Sequence, residues 1–120
     1  MRESGPTGRD STDARTLKRK GEKTMLKHVV FMKFKDGTRE ERIEDLQKSL
    51  GALPGAIPEI EQYEFGRDVL RTERSYDFAL VSAFGDLEAM KRYQAHPDHQ
   101  VVLGKVREMC ESVLAVDFEC

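Results

Sequence analysis

The sequence predicts an α+β fold in which four strands form one antiparallel sheet and the helices cover only one face of that sheet. Four segments carry apolar residues in the patterns that are typical of strands. The segments between them repeat apolar residues at spacings of three and four, as helices do. Along residues 25–120 the order is β-α-β-β-α-α-β, which is close to the split βαβ, ferredoxin-like arrangement.

Two of the predicted strands are expected to lie in the middle of the sheet. The first, residues 26–35, and the third, residues 76–84, carry apolar side chains on both faces, as central strands do. The second strand, residues 60–68, alternates like a half-exposed strand, and the fourth covers residues 113–119. The first and third strands are also the central ones in a ferredoxin-like sheet, so pattern and topology agree.

The helix boundaries are predicted from capping and breaking residues. Thr38 and Glu41 fit a capping box at the start of the first helix, and the loop at residues 51–58 is expected to end it. Asp86 is expected to be the N-cap of the second helix. A His-Pro pair then stops this helix, because the residue before a proline disfavours helical dihedral angles. Asp98 is expected to cap the third helix.

This arrangement leaves one face of the sheet without helices. That face would expose apolar residues of both central strands, and an exposed apolar face of that size marks an interface. A two-fold dimer that packs sheet against sheet is therefore predicted. The alternative is a monomer in which residues 1–24 fold over the sheet, but that segment is too polar for the role.

The composition excludes several kinds of partner. The chain has 120 residues, 38% hydrophobic and 35% charged, which is typical of one globular domain. Its net charge of −2 gives no electrostatic footprint for nucleic acid, and no apolar run reaches membrane-spanning length. Neither nucleic acid nor a membrane is expected as a partner. Cys110 and Cys120 make no disulfide framework, so a reducing compartment, the cytoplasm, is expected.

Residues 1–24 differ from the rest of the chain. They hold seven Lys or Arg residues, four acids and no aromatic residue. So few apolar residues cannot offset the entropy of ordering, and we predict a disordered basic N-terminal extension. No apolar region follows the basic residues, as a secretory signal would require. We expect Met25 to be the natural first residue; the alternative is a basic tail that contacts an acidic partner.

Three histidines and one tyrosine are candidates for chemistry. Tyr93, His96 and His99 fall in one short phrase around a proline, where two helix ends are expected to meet the sheet. His28 lies in the first strand. A histidine exchanges its proton near neutral pH, and a tyrosine hydroxyl can donate a hydrogen bond to a developing oxyanion. Asp117, in the last strand, is a candidate to hold an imidazole in one tautomer.

Structural roles stay open for the same residues. His96 can cap the end of a helix, and we favour this role over a catalytic one. His28 fits a hydrogen-bonded core histidine as well as a pocket residue, and Tyr93 fits an ordinary core position. No metal is expected, because the proline separates His96 from His99 in direction and no Cys or third His completes a zinc set. No glycine-rich phosphate loop is present, and no cofactor is expected.

Three phrases of the sequence resemble the stress-responsive α/β-barrel, or Dabb, family. They are KHVVFMKFK at residues 27–35, YQAHPDH at residues 93–99 and VDF at residues 116–118. The resemblance spans residues 25–120 in order, and the Tyr-x-x-His-Pro-x-His phrase is the more specific part of it. It implies a ferredoxin-like protomer and a homodimer whose two sheets close into a barrel.

The resemblance also implies roles for individual residues. The family includes plant stress-induced proteins and a plant polyketide cyclase with similar phrases. By that similarity the catalytic tyrosine of the cyclase falls on Tyr93 and its catalytic histidine on His99, while His28 and Asp117 match residues near its pocket. In the cyclase the histidine removes a proton so that an enolate attacks a carbonyl group in the same molecule, without cofactor or metal.

Two classes of function follow as hypotheses. The first is a homodimer of unassigned activity that binds a small apolar ligand or a partner. The second is a cofactor-independent enzyme of the cyclase or lyase kind, in which His99 is the general base, Tyr93 polarises a carbonyl and Asp117 orients His99. In that hypothesis His28 and His96 contact the substrate. A cofactor-free monooxygenase is a third option, by analogy of fold alone.

Overall fold

The computed structural model describes residues 24–120. The disordered extension predicted for residues 1–24 lies outside the described residues, except for Thr24. The order of elements agrees with the prediction. The strands and helices are β1 (Leu26–Phe34), α1 (Glu40–Ala56), β2 (Ile60–Arg67), β3 (Phe78–Phe84), α2 (Leu87–Ala95), α3 (Pro97–Met109) and β4 (Cys110–Glu119).

The four strands form one antiparallel sheet in the order β2-β3-β1-β4. The two strands with apolar residues on both faces, β1 and β3, are the central pair, as the sequence predicts. Side chains at spacings of three and four on α1 pack against one face of the sheet and are buried, namely Ile43, Leu46, Leu50 and Leu53. Burying a leucine of this kind stabilises a fold by about 1.5–3 kcal/mol, so this helix holds much of the core.

The start of α1 differs from the prediction. Arg39 is the N-cap and its side chain makes no capping hydrogen bond. The Thr38 hydroxyl instead donates to the Lys35 carbonyl oxygen at 2.6 Å, inside the preceding turn. That turn contains Gly37 with φ of +82°, a conformation that favours glycine. The predicted capping box is therefore wrong, because the turn uses the hydroxyl that would have capped the helix.

The end of α1 also lies later than predicted. The helix continues through Pro54 to Ala56 rather than ending in the loop at residues 51–58. Proline cannot donate to the carbonyl one turn earlier. However, the side chains of Leu53 and Ile57 are buried, and the Ile57 amide donates to the Leu53 carbonyl at 2.8 Å. Burial of these two side chains holds the last turn in place despite the proline.

Two strands begin at other residues than predicted. β3 begins at Phe78 rather than residue 76, because the Asp77 carboxylate accepts from the Phe34 amide at 2.7 Å, a side-chain bond in place of a ladder bond. β4 begins at Cys110 rather than residue 113, since α3 ends at Met109 and the chain enters the sheet directly, opposite Phe34.

The junction of α2 and α3 forms a sharp corner. The Asp86 carboxylate accepts from the Ala89 amide at 2.8 Å, which confirms Asp86 as the N-cap of α2. At α3, the Nδ1 atom of His96 accepts from the Asp98 amide at 3.1 Å. His96, not Asp98, therefore caps this helix. The histidine can do so because its extended backbone is compatible with the following proline.

The face of the sheet opposite the helices is uncovered by any element within residues 24–120, and the part of it formed by β1 and β4 is mostly apolar. We call it the open sheet face. Phe31 pairs with Leu114 and Val29 pairs with Val116 across β1 and β4, and Phe118 lies on the same face. Phe31, Leu114, Val116 and Phe118 are each between 39% and 56% exposed. This is the apolar face that the topology predicts.

In the described part of the chain, no helix combines the length and apolar character that crossing a membrane requires.

Candidate ligand-binding site

A cavity of about 260 Å³ lies between α3 and the sheet. Most of its wall is apolar and comes from β1, α3 and β4: Val30, Met32, Val102, Val106, Val113 and Ala115. Val113 and Ala115 lie on the helix side of β4, and both are exposed. The cavity therefore opens along β4, the edge strand that no helix of the described chain covers.

Polar side chains gather at one end of this cavity. They are His28, Tyr93, Gln94, His99 and Gln100. The register places His28 opposite Asp117, Val30 opposite Ala115 and Met32 opposite Val113. Along β1 the cavity wall thus changes from polar at His28 to apolar at Met32. Among residues 24–120, no Lys, Arg, Asp or Glu lines the cavity.

The polar end rests on one row of residues that crosses the whole sheet. Tyr63 on β2 pairs with Ser82 on β3, Ser82 pairs with His28 on β1, and His28 pairs with Asp117 on β4. We call these four residues the polar row. They share the helix-facing side of the sheet, where the neighbouring rows are mostly apolar. The strand register thus collects polar groups under the ends of α2 and α3.

His28 is hydrogen-bonded to Asp117 within this row. Its Nδ1 atom contacts the Asp117 carboxylate, while the Ser82 hydroxyl donates to its backbone carbonyl at 3.3 Å. His28 is 9% exposed. Since an ionised carboxylate only accepts hydrogen bonds, the Nδ1 atom carries the proton of this bond, and in the neutral ring Nε2 remains an acceptor.

His99 is held by a backbone group. Its Nδ1 atom lies 3.1 Å from the Gln94 carbonyl oxygen. A carbonyl accepts only, so Nδ1 donates, and Nε2 of the neutral ring keeps its lone pair. Burial lowers the pKa of His99, and repulsion from His28 and His96 lowers it further, against the opposing effect of the Gln94 bond. His99 is therefore neutral at pH 7 and able to accept a proton.

Tyr93 lies between the two helices and the sheet. It is 1% exposed, and its ring packs against those of His99 and Phe84, with centroids 4.4 and 4.8 Å away. Its hydroxyl oxygen is 2.9 Å from that of Tyr63. Burial raises the pKa of both phenols. Both tyrosines are therefore neutral and can donate hydrogen bonds at pH 7.

The structure brings together most of the residues that the sequence singles out. His28, Tyr93 and His99 line one cavity, and Asp117 reaches it through His28. Two expectations are wrong. Asp117 contacts His28 and does not orient His99, whose Nδ1 atom is held by Gln94. His96 does not line the cavity, because its ring caps α3.

Reasoning from the sequence misses three participants. It identifies Tyr63 and Ser82 only as strand residues, although each is a polar residue on the helix-facing side of the sheet. That break in an apolar alternation is a signal that the sequence carries. The Gln94 carbonyl is a backbone group, and no residue type marks its role.

The strand order β2-β3-β1-β4 and the helices on one face make this domain a ferredoxin-like α+β protein. Within that class, residues 26–120 match the family model of the stress responsive A/B barrel domain. The chain belongs to this family. The match covers every helix and strand described above.

Known relatives include proteins without and with a named activity. An uncharacterized protein of Streptomyces coelicolor is 35% identical over 97 residues, covering 79% of this chain and 99% of that protein. Olivetolic acid cyclase of Cannabis sativa is 31% identical over 96 residues, covering 78% and 94%. A dimeric ferredoxin-like protein of unknown function from Thermobifida fusca has a similar structure, with a TM-score of 0.75 and 31% identity, covering 81% and 92%.

Proposed function

We propose that this chain forms a homodimer and binds a small, largely apolar molecule in the cavity, with an oxygen-bearing group of that molecule facing Tyr93 and His99. The observation that carries the proposal is the cavity itself, whose wall is apolar along β1, α3 and β4 and polar at one end. Pockets of this character, with a few convergent polar groups, are typical of small-molecule sites.

The open sheet face supports the homodimer. Its half-exposed side chains on β1 and β4 include two phenylalanines, Phe31 and Phe118. Covering them with the same face of a second copy removes apolar surface from water in both protomers, and such self-complementary contact is the rule for two-fold dimers. The relative from Thermobifida fusca, which is described as dimeric, adds support.

The polar end of the cavity indicates the chemistry of the ligand. Its wall contributes no charged Lys, Arg, Asp or Glu from the described chain, and both His99 and Tyr93 are neutral at pH 7. A neutral or weakly acidic molecule therefore fits better than a strong ion. Tyr93 suits an acceptor such as a carbonyl oxygen, and Nε2 of His99 suits a hydroxyl or an acidic C–H group.

Binding can be tested on the full chain by NMR with a panel of small neutral ketones and their hydrocarbon analogues. We expect amide shifts to concentrate on the cavity wall. Ala115→Phe places a ring at the mouth of the cavity and should weaken binding at least about tenfold, because it fills the space. Ala52→Phe is the matched control, since Ala52 is exposed on α1 and does not line the cavity. Equal binding by both variants would contradict this site.

A second candidate function is favoured by one observation, the neutral His99 beside a buried phenol. In this alternative, Nε2 of His99 removes a proton from a carbon next to a carbonyl group while Tyr93 donates to the carbonyl oxygen, which becomes the enolate oxygen. The enolate carbon then attacks a second carbonyl in the same molecule, and the alkoxide oxygen that forms takes the proton from His99. The relative named olivetolic acid cyclase supports this chemistry. The Gln94 carbonyl, rather than Asp117, orients the base.

A further inference from the structure

The Tyr63–Tyr93 pair leaves one hydroxyl proton without a partner in the protein. Each hydroxyl has one O–H donor and two lone pairs, and the two oxygens are 2.9 Å apart. Only one of the two protons can lie between them. Within residues 24–120 neither hydroxyl has another hydrogen-bond partner, and Tyr93 is 99% buried, the complement of its 1% exposure. Buried polar groups are normally satisfied, so the second proton calls for an acceptor when it is on the buried Tyr93 hydroxyl, whereas Tyr63 is only half-buried.

The two hydroxyls differ in their access to the cavity. Tyr93 lines it and Tyr63 does not. If Tyr93 donates to Tyr63, the Tyr93 hydroxyl can only accept a hydrogen bond from a ligand in the cavity. If Tyr63 donates to Tyr93, the Tyr93 O–H is free to donate to that ligand. Both arrangements keep the buried Tyr93 hydroxyl hydrogen-bonded, and only rotation of two O–H bonds separates them.

We propose that Tyr63 is a positioning residue for Tyr93, a role that rests on the ligand site proposed above: when an acceptor oxygen enters the cavity, Tyr63 donates to Tyr93 and Tyr93 donates to the ligand. Without a ligand, Tyr93 donates to Tyr63. The pair thus presents a hydrogen-bond donor to the cavity when a ligand with an acceptor oxygen is bound. It selects a ligand with an acceptor oxygen at this point over an equally apolar one without it.

Burial raises the pKa of both phenols, so both hydroxyls keep their protons at pH 7 and both can donate. Chains of hydrogen bonds also polarise one another in a low-dielectric interior, so donation by Tyr63 strengthens donation by Tyr93.

The packing of Tyr63 makes a clean substitution possible. Its ring meets those of Phe65 and Tyr93 edge-on, with centroids 6.3 and 6.2 Å away. Tyr63→Phe keeps these contacts and removes one oxygen atom. The chain also offers a matched control, because the Tyr76 hydroxyl pairs with the Ser112 hydroxyl at 3.1 Å and Tyr76 does not line the cavity. Tyr76→Phe removes a tyrosine–hydroxyl bond of the same kind elsewhere.

The experiment compares two probes of similar shape, acetophenone and ethylbenzene, in the full chain and in three variants. Dissociation constants come from NMR titration. We expect Tyr63→Phe to weaken acetophenone by about 3- to 10-fold and ethylbenzene by less than about 2-fold. Tyr93→Phe should lose the preference for acetophenone altogether, and Tyr76→Phe should leave both constants unchanged. The carbonyl ¹³C resonance of bound acetophenone should move toward its value in apolar solvent in Tyr63→Phe.

Two results would overturn the inference in different ways. The preference is the dissociation constant of ethylbenzene divided by that of acetophenone. If Tyr63→Phe leaves this ratio unchanged while Tyr93→Phe lowers it, Tyr93 donates to the ligand without help from Tyr63. Failure of both probes to bind the unaltered chain would instead count against the ligand site. A ligand-free measurement separates these cases: in protein labelled at the tyrosine ¹³Cζ atoms, Tyr63→Phe should shift the Tyr93 resonance. An unmoved resonance would rule out the pair itself.

Discussion

The Nδ1 atom of His28 is hydrogen-bonded to the carboxylate of Asp117 on the neighbouring strand. This contact ties edge strand β4 to central strand β1 at the polar end of the cavity. Asp117 thus lies beside the cavity, in contact with His28, but its carboxylate is not part of the cavity wall. The contact therefore serves the architecture of the site, whichever of the two proposed functions holds.

Removing the Asp117 carboxylate should destabilise the fold modestly. Asp117→Ala leaves the Nδ1 proton of the buried His28 without its acceptor, and we expect a loss of about 1 kcal/mol in the free energy of unfolding. The loss stays at the low end because the Asp117 side chain is 40% exposed and water can replace it. Asp117→Asn should lose less, since an amide oxygen still accepts.

Urea denaturation at neutral pH measures both Asp117 variants. Glu119→Ala is the matched control, because Glu119 is exposed two residues further along the same strand face. Equal stability of Asp117→Ala and Glu119→Ala would mean that the contact with His28 contributes nothing to folding.

The buried position of His99 predicts a dependence of stability on pH. Its pKa in the folded state is lowered below the ordinary value of 6.5, chiefly by burial. Just below that value the unfolded chain binds more protons than the folded one, so stability rises with pH there. The contribution of His99 to the free energy of unfolding is complete above pH 6.5, and it is lost as the pH falls through the lowered pKa of the folded state.

Urea denaturation at about pH 7 and about pH 5 compares the chain with His99→Gln, which cannot titrate. The substituted chain should lose less stability on acidification than the original. Direct titration of the His99 ring by NMR is the second measurement. A midpoint at or above 6.5 would contradict the proposed neutral base.

A single charged substitution on the open sheet face tests the homodimer. Val116 is 56% exposed and lies opposite Val29 in the middle of that face. Val116→Lys should give a folded monomer, because an unpaired ammonium buried between two apolar sheets costs several kcal/mol. Light scattering after size-exclusion chromatography measures the mass, and circular dichroism checks the fold. Ala52→Lys, on the exposed side of α1, should remain dimeric.

The sequence predicts the sheet better than it predicts the site. Apolar residues on both faces of β1 and β3 are enough to place these strands at the centre, since one of their faces packs under the helices and the other lies on the open sheet face. The polar row depends on register instead. Tyr63 faces Ser82 only because the β2–β3 pairing shifts by one residue between Ile60 and Gln62. A strand pattern does not reveal such an irregularity.

The contacts of the histidines illustrate the same limit. His99 is identified as a candidate from its phrase, but its partner is the backbone carbonyl of Gln94 across the α2–α3 corner, and any residue type supplies that group. Asp117 is identified as the partner of an imidazole, yet the register joins it to His28 rather than His99. Which of two histidines a carboxylate meets is decided by tertiary structure.

General-base chemistry at His99 can be tested without knowing a natural substrate. If Nε2 of His99 removes a proton next to a carbonyl group, the chain should catalyse exchange of the acetophenone methyl protons for deuterium in D₂O. We expect His99→Ala to lower the protein-dependent rate by about 10²–10⁴-fold. Tyr93→Phe should lower it by about 10²–10³-fold, because the enolate oxygen loses its donor. Proton NMR of the methyl signal measures the rate.

The controls separate catalysis from binding. Tyr76→Phe should exchange at the rate of the unaltered chain, and Asp117→Asn should stay within about tenfold of it, since Asp117 contacts His28 and not the base. Acetophenone bound with exchange no faster than in buffer would reject the enzymatic alternative and leave the proposed ligand-binding function standing. Exchange that survives in His99→Ala would instead assign the base to His28, the other histidine whose Nε2 atom is left as an acceptor.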